Sequence, residues 1–343
     1  MDGTAIFSAG GGGNPEVGCR IVDRLVSEGY TVKLVAPSEV PDHVKIVNFA
    51  CVGATTMIEY DSEAAVKTVK ALEEYADFSA YAAIPVELGG INTLAAVDVA
   101  SRCNIPVVDA DGAGRSVPEV HLKVYTIDDI PLTPMIVADL HAKNIVIAKE
   151  TVNSRAAERI ARVLASEWSH TAYTARRILT GAQLKTSPIQ LSLSKSMHIG
   201  KVLRKSADPI KVVLRETGGF KLFEGVVNFA ERKTNAGFTF VDVKLRGKNE
   251  YAGSMFEFKA KNEILAARRD GNLAAIAPDI ITSVHPETGK CITAEKIMQG
   301  DRLVVLGLPA PKKWKTRKGL KLWKDALQRS NIFDEYLPIE QIG

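Results

Sequence analysis

Three carboxylates and a run of glycines are the groups in this chain whose types and spacing suit chemistry. Glu87 closes an apolar run at 80–86 and precedes Gly89-Gly90 at the expected start of a helix. A carboxylate held there can accept a proton, coordinate a cation or simply cap the helix through its N–H groups. In Asp109-Ala110-Asp111-Gly112-Ala113-Gly114-Arg115 two carboxylates alternate along an extended segment and point the same way while it stays extended. Such a pair suits a hard divalent cation or a shared proton, and Arg115 can clamp an anionic or carbonyl-bearing substrate in two-point fashion. The same residues also read as an Asp-Gly turn braced by a salt-bridged arginine. The spacing is close to that of a calcium loop, without the glutamate expected at its twelfth position.

Gly10-Gly11-Gly12-Gly13-Asn14-Pro15 follows an apolar run at 5–7, read as a strand, and leads into a helix over 17–27. Glycines let the backbone turn sharply and approach a ligand, Asn14 caps, and Pro15 suits a first helical turn. The expected product is an anion-binding helix N-terminus at a strand's carboxyl end. Gly10, Gly11, Gly12, Gly13, Asn14, Thr55, Gly89, Gly90 and Asn92 form the candidate substrate-binding set, with Glu87, Asp109, Asp111 and Arg115 as the candidate catalytic set. Six histidines form no HExxH or HxH pair. His121, just past the Asp109 segment, is the one best placed to face a cleft, although taken alone it reads as a hydrogen-bonded histidine. No Gly-x-Ser-x-Gly elbow occurs and no cysteine lies in these segments, so activation by acidic groups is expected.

These segments need a scaffold that presents several strand ends together. Helical period at 17–27, 62–75 and 93–103 alternates with apolar runs at 31–35, 44–52, 80–86 and 106–108, the pattern of a parallel sheet covered on both faces. Ligands of open α/β sheets sit outside the carboxyl ends of the strands, where Gly10 to Asn14, Glu87 and Asp109 to Arg115 would all lie. Short apolar runs at 135–138 and 145–148 and a helix over 154–168 follow, then a helical stretch at 189–204. Beyond 208 the period becomes two, at 226–230, 238–245 and 254–258, with turn residues between. The expected fold is therefore α/β: an N-terminal parallel-sheet domain over 1–165, and a β-rich C-terminal domain over 166–343 with connecting helices and a basic C-terminal helix.

At 343 residues the chain has room for about two cores. Its 46% hydrophobic and 24% charged content is that of a globular protein, and a net charge of +4 is no nucleic-acid signature. The lysine-rich stretch 312–324, with Trp314 and Trp323 interleaved, reads as a solvated helix face whose tryptophans dock on the body. Four scattered cysteines argue against a zinc ribbon or a disulfide framework, and no stretch approaches a membrane span. A cytoplasmic protein is expected, with a small-molecule partner, no nucleic acid and no membrane; a homo-oligomer is compatible with this. The second strand ends in Val35-Ala36-Pro37, not in an acidic residue, which disfavours a dinucleotide-dependent oxidoreductase.

Gly10 to Pro15, Val52-Gly53-Ala54-Thr55-Thr56, Glu87 to Leu94 and Pro106 to Arg115 resemble the S-methyl thiohydantoin desulfurase-like family of hydantoinase-associated proteins. Asn262-Glu263, Ala277 to Ile281, Gly300 to Val305 and Pro309-Ala310-Pro311 resemble its C-terminal part. The resemblance implies a two-domain protein linked to opening or desulfurising five-membered cyclic amides. Such hydrolysis needs a base, donors for a developing oxyanion and something to hold the ring. The metal is left unknown, a divalent ion being compatible with the acidic cluster. The competing reading is a non-catalytic subunit or regulator that holds a nucleotide or metabolite on the glycine loop.

Overall fold

In a computed structural model, which describes residues 1–53, 60–168, 171–235 and 237–342, the chain divides into two compact units. One unit comprises residues 13–114 and 119–194, the other residues 1–12, 115–118 and 195–343. Thr55 and the rest of 54–59 lie outside the described residues.

The first unit is built on a seven-stranded sheet. Leu34–Val35, Val107–Val108, Ala80–Pro85 and Lys45–Gly53 lie side by side and parallel, as the alternation of strand and helix predicts. The other half of the sheet is antiparallel. Thr171–Thr180 pairs with Lys45–Gly53 on one side and with Met135–Ala138 on the other, and Ile145–Ala148 closes the edge. Residues 166–194, expected in the second domain, thus belong to this unit, and the expected parallel strands are joined by an antiparallel half. The strand is buried along most of its length, but its sequence, Thr-Ala-Tyr-Thr-Ala-Arg-Arg-Ile-Leu-Thr, carries two arginines where a core strand normally shows an apolar run.

Helices Pro15–Ser27, Ser62–Ala76, Asn92–Arg102 and Ser154–Glu167 pack in this unit. Asp61 caps the second of these, its Oδ1 accepting the N–H groups of Glu63 and Ala64. Alanines 157, 161 and 165 of the last face Met135 and Val137 in a dry cluster. The stretch expected to be helical from 189 begins instead with the short strand Ile189–Gln190, which pairs with Ala110–Asp111; Leu191 turns at φ 55° and helix Ser192–Lys205 follows.

The second unit is organised by a seven-stranded antiparallel sheet. Its order is Asn272–Ile276, Glu263–Arg269, Met255–Lys261, Phe238–Gly247, Phe220–Asn235, Arg302–Leu308 and Ile280–Val284. The three period-two runs fall on three central strands, and Phe223 stacks on Phe256 with ring centroids 4.9 Å apart in the core. Trp314 and Trp323 are buried and meet edge to face at 5.7 Å, which leaves the lysines outside.

Residues 5–7 form no strand. They are the end of helix Asp2–Phe7, in which Asp2 occupies the first turn and the Ser8 hydroxyl donates to the Ala5 carbonyl. Three apolar residues in a row are too few to separate one periodicity from the other. Among the described residues, no helix is long and apolar enough to cross a membrane.

Candidate functional site

Parallel neighbours Ala80–Pro85 and Val107–Val108 end on the same edge of the sheet, and the chain leaves them through Glu87 and Asp109 respectively. The 109–114 segment crosses closely over the first strand's end: a Cβ on Gly112 would stand 2.6 Å from the Val86 carbonyl oxygen. Two of the expected acidic residues are thereby brought into each other's field. Asp111 is fully buried, and its Oδ1 accepts the N–H groups of Ala113 (2.7 Å) and Gly114 (2.6 Å). Burial drives its carboxyl up to about 6 and the Glu87 charge adds to the rise, outweighing the nearby Ser192 hydroxyl and the two N–H donors. Its Oδ2 is buried without a completed hydrogen bond.

Glu87 is the centre of a polar network. Oε1 accepts from Asn92 Nδ2 at 2.6 Å, and Oε2 lies 3.1 Å from Lys123 Nζ. Asn92 Oδ1 in turn accepts the Cys51 N–H at 3.0 Å, so the amide spans two strand ends. Behind this pair lies Arg176, wholly buried, whose guanidinium donates to the Thr174 hydroxyl. Burial lowers Arg176 to about 10, with Arg162 adding to the fall, while the charges of Glu87 and Glu158 oppose it.

Asp109 has a different occupation. Its Oδ1 accepts the Ser194 N–H at 2.9 Å, its Oδ2 accepts the Ser194 hydroxyl, and its carbonyl accepts the Leu191 N–H at 2.8 Å. Both carboxylate oxygens brace the start of helix Ser192–Lys205, a capping role.

The second cluster gathers around His121. Its Nδ1 is 2.6 Å from Glu158 Oε2 and its Nε2 is 3.4 Å from Glu119 Oε2, with all three residues buried. Arg162 reaches Glu158 Oε1 at 3.5 Å and the Gly53 carbonyl at 3.3 Å. Burial raises Glu158, but the imidazole hydrogen bond and the Arg162 charge prevail and hold it down to about 2. The cluster offers one nitrogen and two oxygens within 4.8 Å of one another, a set able to hold a metal ion.

Arg115 and Gly10 to Gly12 belong to the other unit. The Arg115 guanidinium is buried, donates Nη1 to the carbonyls of Pro278 (2.6 Å) and Asp279 (2.9 Å) and Nε to that of Ser116, and stacks on Trp323 at 4.7 Å. That is a brace for the 277–279 loop, where a substrate clamp was expected. The Ala9 and Gly10 carbonyls accept the N–H groups of Ile264 (2.7 Å) and Ala294 (3.1 Å), and a Cβ on Gly11 would stand 2.3 Å from Glu263 Oε1. In the first unit, Gly13 (φ 88°) abuts Ile91, and a Cβ on Gly90 would meet the Gly13 carbonyl at 2.3 Å. Asn14 caps helix Pro15–Ser27 through the Glu16 N–H as expected, and Gly89 N–H bonds the Thr93 hydroxyl. At Gly11, Gly13 and Gly90 the protein's own atoms thus leave no room for a Cβ.

Lys123, Glu158, Arg176 and Ser192 carry no motif. The one readable signal is Glu158, a carboxylate set within the 157–161–165 alanine stripe of a helix's buried face.

Residues 1–149 match the family model described as the S-Me-THD-like N-terminal domain, and residues 152–325 match that of the S-Me-THD-like C-terminal domain. Among solved structures, the chain is similar to a crystal structure of a protein from Chromobacterium violaceum, at 22% identity over 99% of this chain and 96% of that one, with a TM-score of 0.82. At that identity the likeness establishes the shared fold. No curated protein matches the chain.

Proposed function

The chain belongs to the S-methyl thiohydantoin desulfurase-like family, and from that premise we propose that it is a hydrolase acting on a small five-membered cyclic amide or S-methyl thiohydantoin. The observation that carries the reading is Asp111: a buried carboxyl held near 6 beside a second carboxylate, at the end of parallel strands. A group that titrates close to neutrality can both take and return a proton during turnover.

On an S-methyl thiohydantoin, water adds to the ring carbon that bears sulfur while Asp111 takes its proton; the C–S bond then breaks, and the proton leaves with the departing thiolate as methanethiol. One C–O bond forms, one C–S bond breaks, and a hydantoin remains. Lys123, paired with Glu87, supplies positive charge near the acidic pair, and Asn92 fixes Glu87 in orientation. Asp109 positions the segment through Ser194 and needs no chemical step of its own.

The test is turnover of S-methyl thiohydantoins and of hydantoins, followed by thiol release and by ring opening, in wild-type protein and in Asp111→Asn and Glu87→Gln variants. Loss on the order of 100-fold or more in Asp111→Asn is the expected result for a general acid–base residue. Full activity in both variants removes the acidic mechanism. Ring binding without turnover would make the protein a binding subunit.

A further inference from the structure

We propose that His121 and Glu119 are two ligands of a divalent transition-metal ion, Zn²⁺ or Mn²⁺, with Glu158 as the carboxylate that orients the imidazole. The argument starts from two unequal distances on one ring. Nδ1 to Glu158 is 2.6 Å, the length of a charge-assisted hydrogen bond, so Nδ1 carries the proton and donates it. That tautomer leaves a lone pair on Nε2, directed at Glu119 Oε2, which is itself an acceptor.

The Nε2 to Oε2 separation of 3.4 Å is too long for a sound N–H···O bond. It is what a shared metal produces: bonds of about 2.0–2.2 Å to imidazole nitrogen and carboxylate oxygen, meeting at a tetrahedral angle, put the two donor atoms about 3.4 Å apart. A carboxylate on the far nitrogen is the usual outer partner of a metal-bound histidine, where it fixes the tautomer and raises the basicity of the ligating atom. Arg162, at 3.5 Å from Glu158, offsets the charge of that outer carboxylate.

Burial adds a further constraint. His121, Glu119 and Glu158 are each no more than 6% exposed, so an ion held between His121 and Glu119 would be shielded from bulk water. The mixed nitrogen and oxygen donors favour a first-row transition ion over Ca²⁺, which takes oxygen alone. Two protein ligands leave coordination positions for water, as in a reactive rather than a purely structural centre. None of this depends on the role given above to Asp111.

The experiment is calorimetric titration of chelator-treated full-length protein with Zn²⁺ and Mn²⁺, together with the visible spectrum of the Co²⁺-loaded protein. One saturable equivalent is expected in the wild type. His121→Ala and Glu119→Gln should abolish that equivalent and its Co²⁺ bands, while Glu158→Gln should weaken it about 10–100-fold and shift the bands, as loss of an outer hydrogen bond does. Circular dichroism of each variant separates lost ligation from lost folding, and Glu119→Gln, which keeps size and shape, carries the test if His121→Ala does not fold. The absence of a stoichiometric site in the wild type, or a site that survives both ligand substitutions, overturns the proposal: the triad would then be an imidazolium held between two carboxylates.

Discussion

At the scale of single residues, two kinds of buried charge separate. Asp111 is penalised as a carboxylate by its burial, which raises its carboxyl to about 6 from an ordinary 3.8. An acid whose folded value is raised binds its proton more tightly when folded, so its contribution to stability is complete below about 3.8 and fades as pH rises through 6. The cost at neutral pH is on the order of 3 kcal/mol. Asp111→Asn keeps an oxygen for the Ala113 and Gly114 N–H groups, so chemical denaturation should show the variant matching or exceeding wild-type stability at pH 8 and losing the wild type's decline between pH 4 and 6. A variant that is less stable at pH 8 would mean that the ionised carboxylate is needed structurally. Arg115 is the opposite case. Its Nη1 donates to the carbonyls of Pro278 and Asp279, its Nε to that of Ser116, and its plane lies on Trp323, an arrangement that lysine cannot reproduce. Arg115→Lys should cost about 3 kcal/mol, read as a lower urea midpoint with an unchanged slope. A shift within error would return Arg115 to the role of a substrate clamp.

At the scale of elements, legibility followed the strength of the local pattern. Helices 15–27, 62–76 and 92–102 announced themselves by period and by start signals such as Asn14 and Pro15, and the central antiparallel strands by strict alternation. Glu87 and Asp111 were legible because each follows an apolar strand and stands one or two residues before a glycine. Lys123 and Arg176 were not, since a buried cation gives no period and the carboxylates that act on it are distant in sequence. Strand Thr171–Thr180 was missed for the same reason: Arg177 donates to the distant Ile130 carbonyl and Arg176 lies in the field of Glu87 and Glu158, none of which local sequence shows. The glycine run was read as a turn that brings backbone N–H groups to a ligand; beside Gly11 and Gly13 the space a side chain would need is filled by Glu263 and Ile91. Gly13→Ala forces a left-handed φ of 88° on a residue with a Cβ and drives that atom to 2.7 Å from Ile91. A loss of about 1–3 kcal/mol is expected, with the affinity of the folded variant for phosphate or nucleotide unchanged from wild type. A selective loss of anion binding at unaltered stability would restore the anion-site reading.

At the scale of the molecule, the path of the chain matters more than any boundary along it. The antiparallel unit takes residues 1–12 and 115–118 as well as 195–343, and the mixed-sheet unit runs on to residue 194. Within the antiparallel unit, Ile264 and Ala294 donate to the Ala9 and Gly10 carbonyls, the Ser116 hydroxyl donates to Glu263 at 2.6 Å, and Arg115 carries the 277–279 loop. Within the other, Thr171–Thr180 sits in mid-sheet, between Lys45–Gly53 and Met135–Ala138, so its removal separates the parallel half from the antiparallel half and exposes the edges of both. A cut at 165/166, the domain boundary expected from the sequence, therefore removes a central strand from one unit and two anchoring segments from the other. Fragments 1–165 and 166–343 expressed separately should each lack cooperative thermal unfolding and show exchange-broadened amide spectra, while mixing the two should restore cooperativity in part. Extending the second fragment's partner to 1–194 should recover the mixed sheet, because it then contains all seven strands. An independently folded 166–343 fragment, with dispersed amide resonances and a sharp melting transition, would contradict the interleaved organisation.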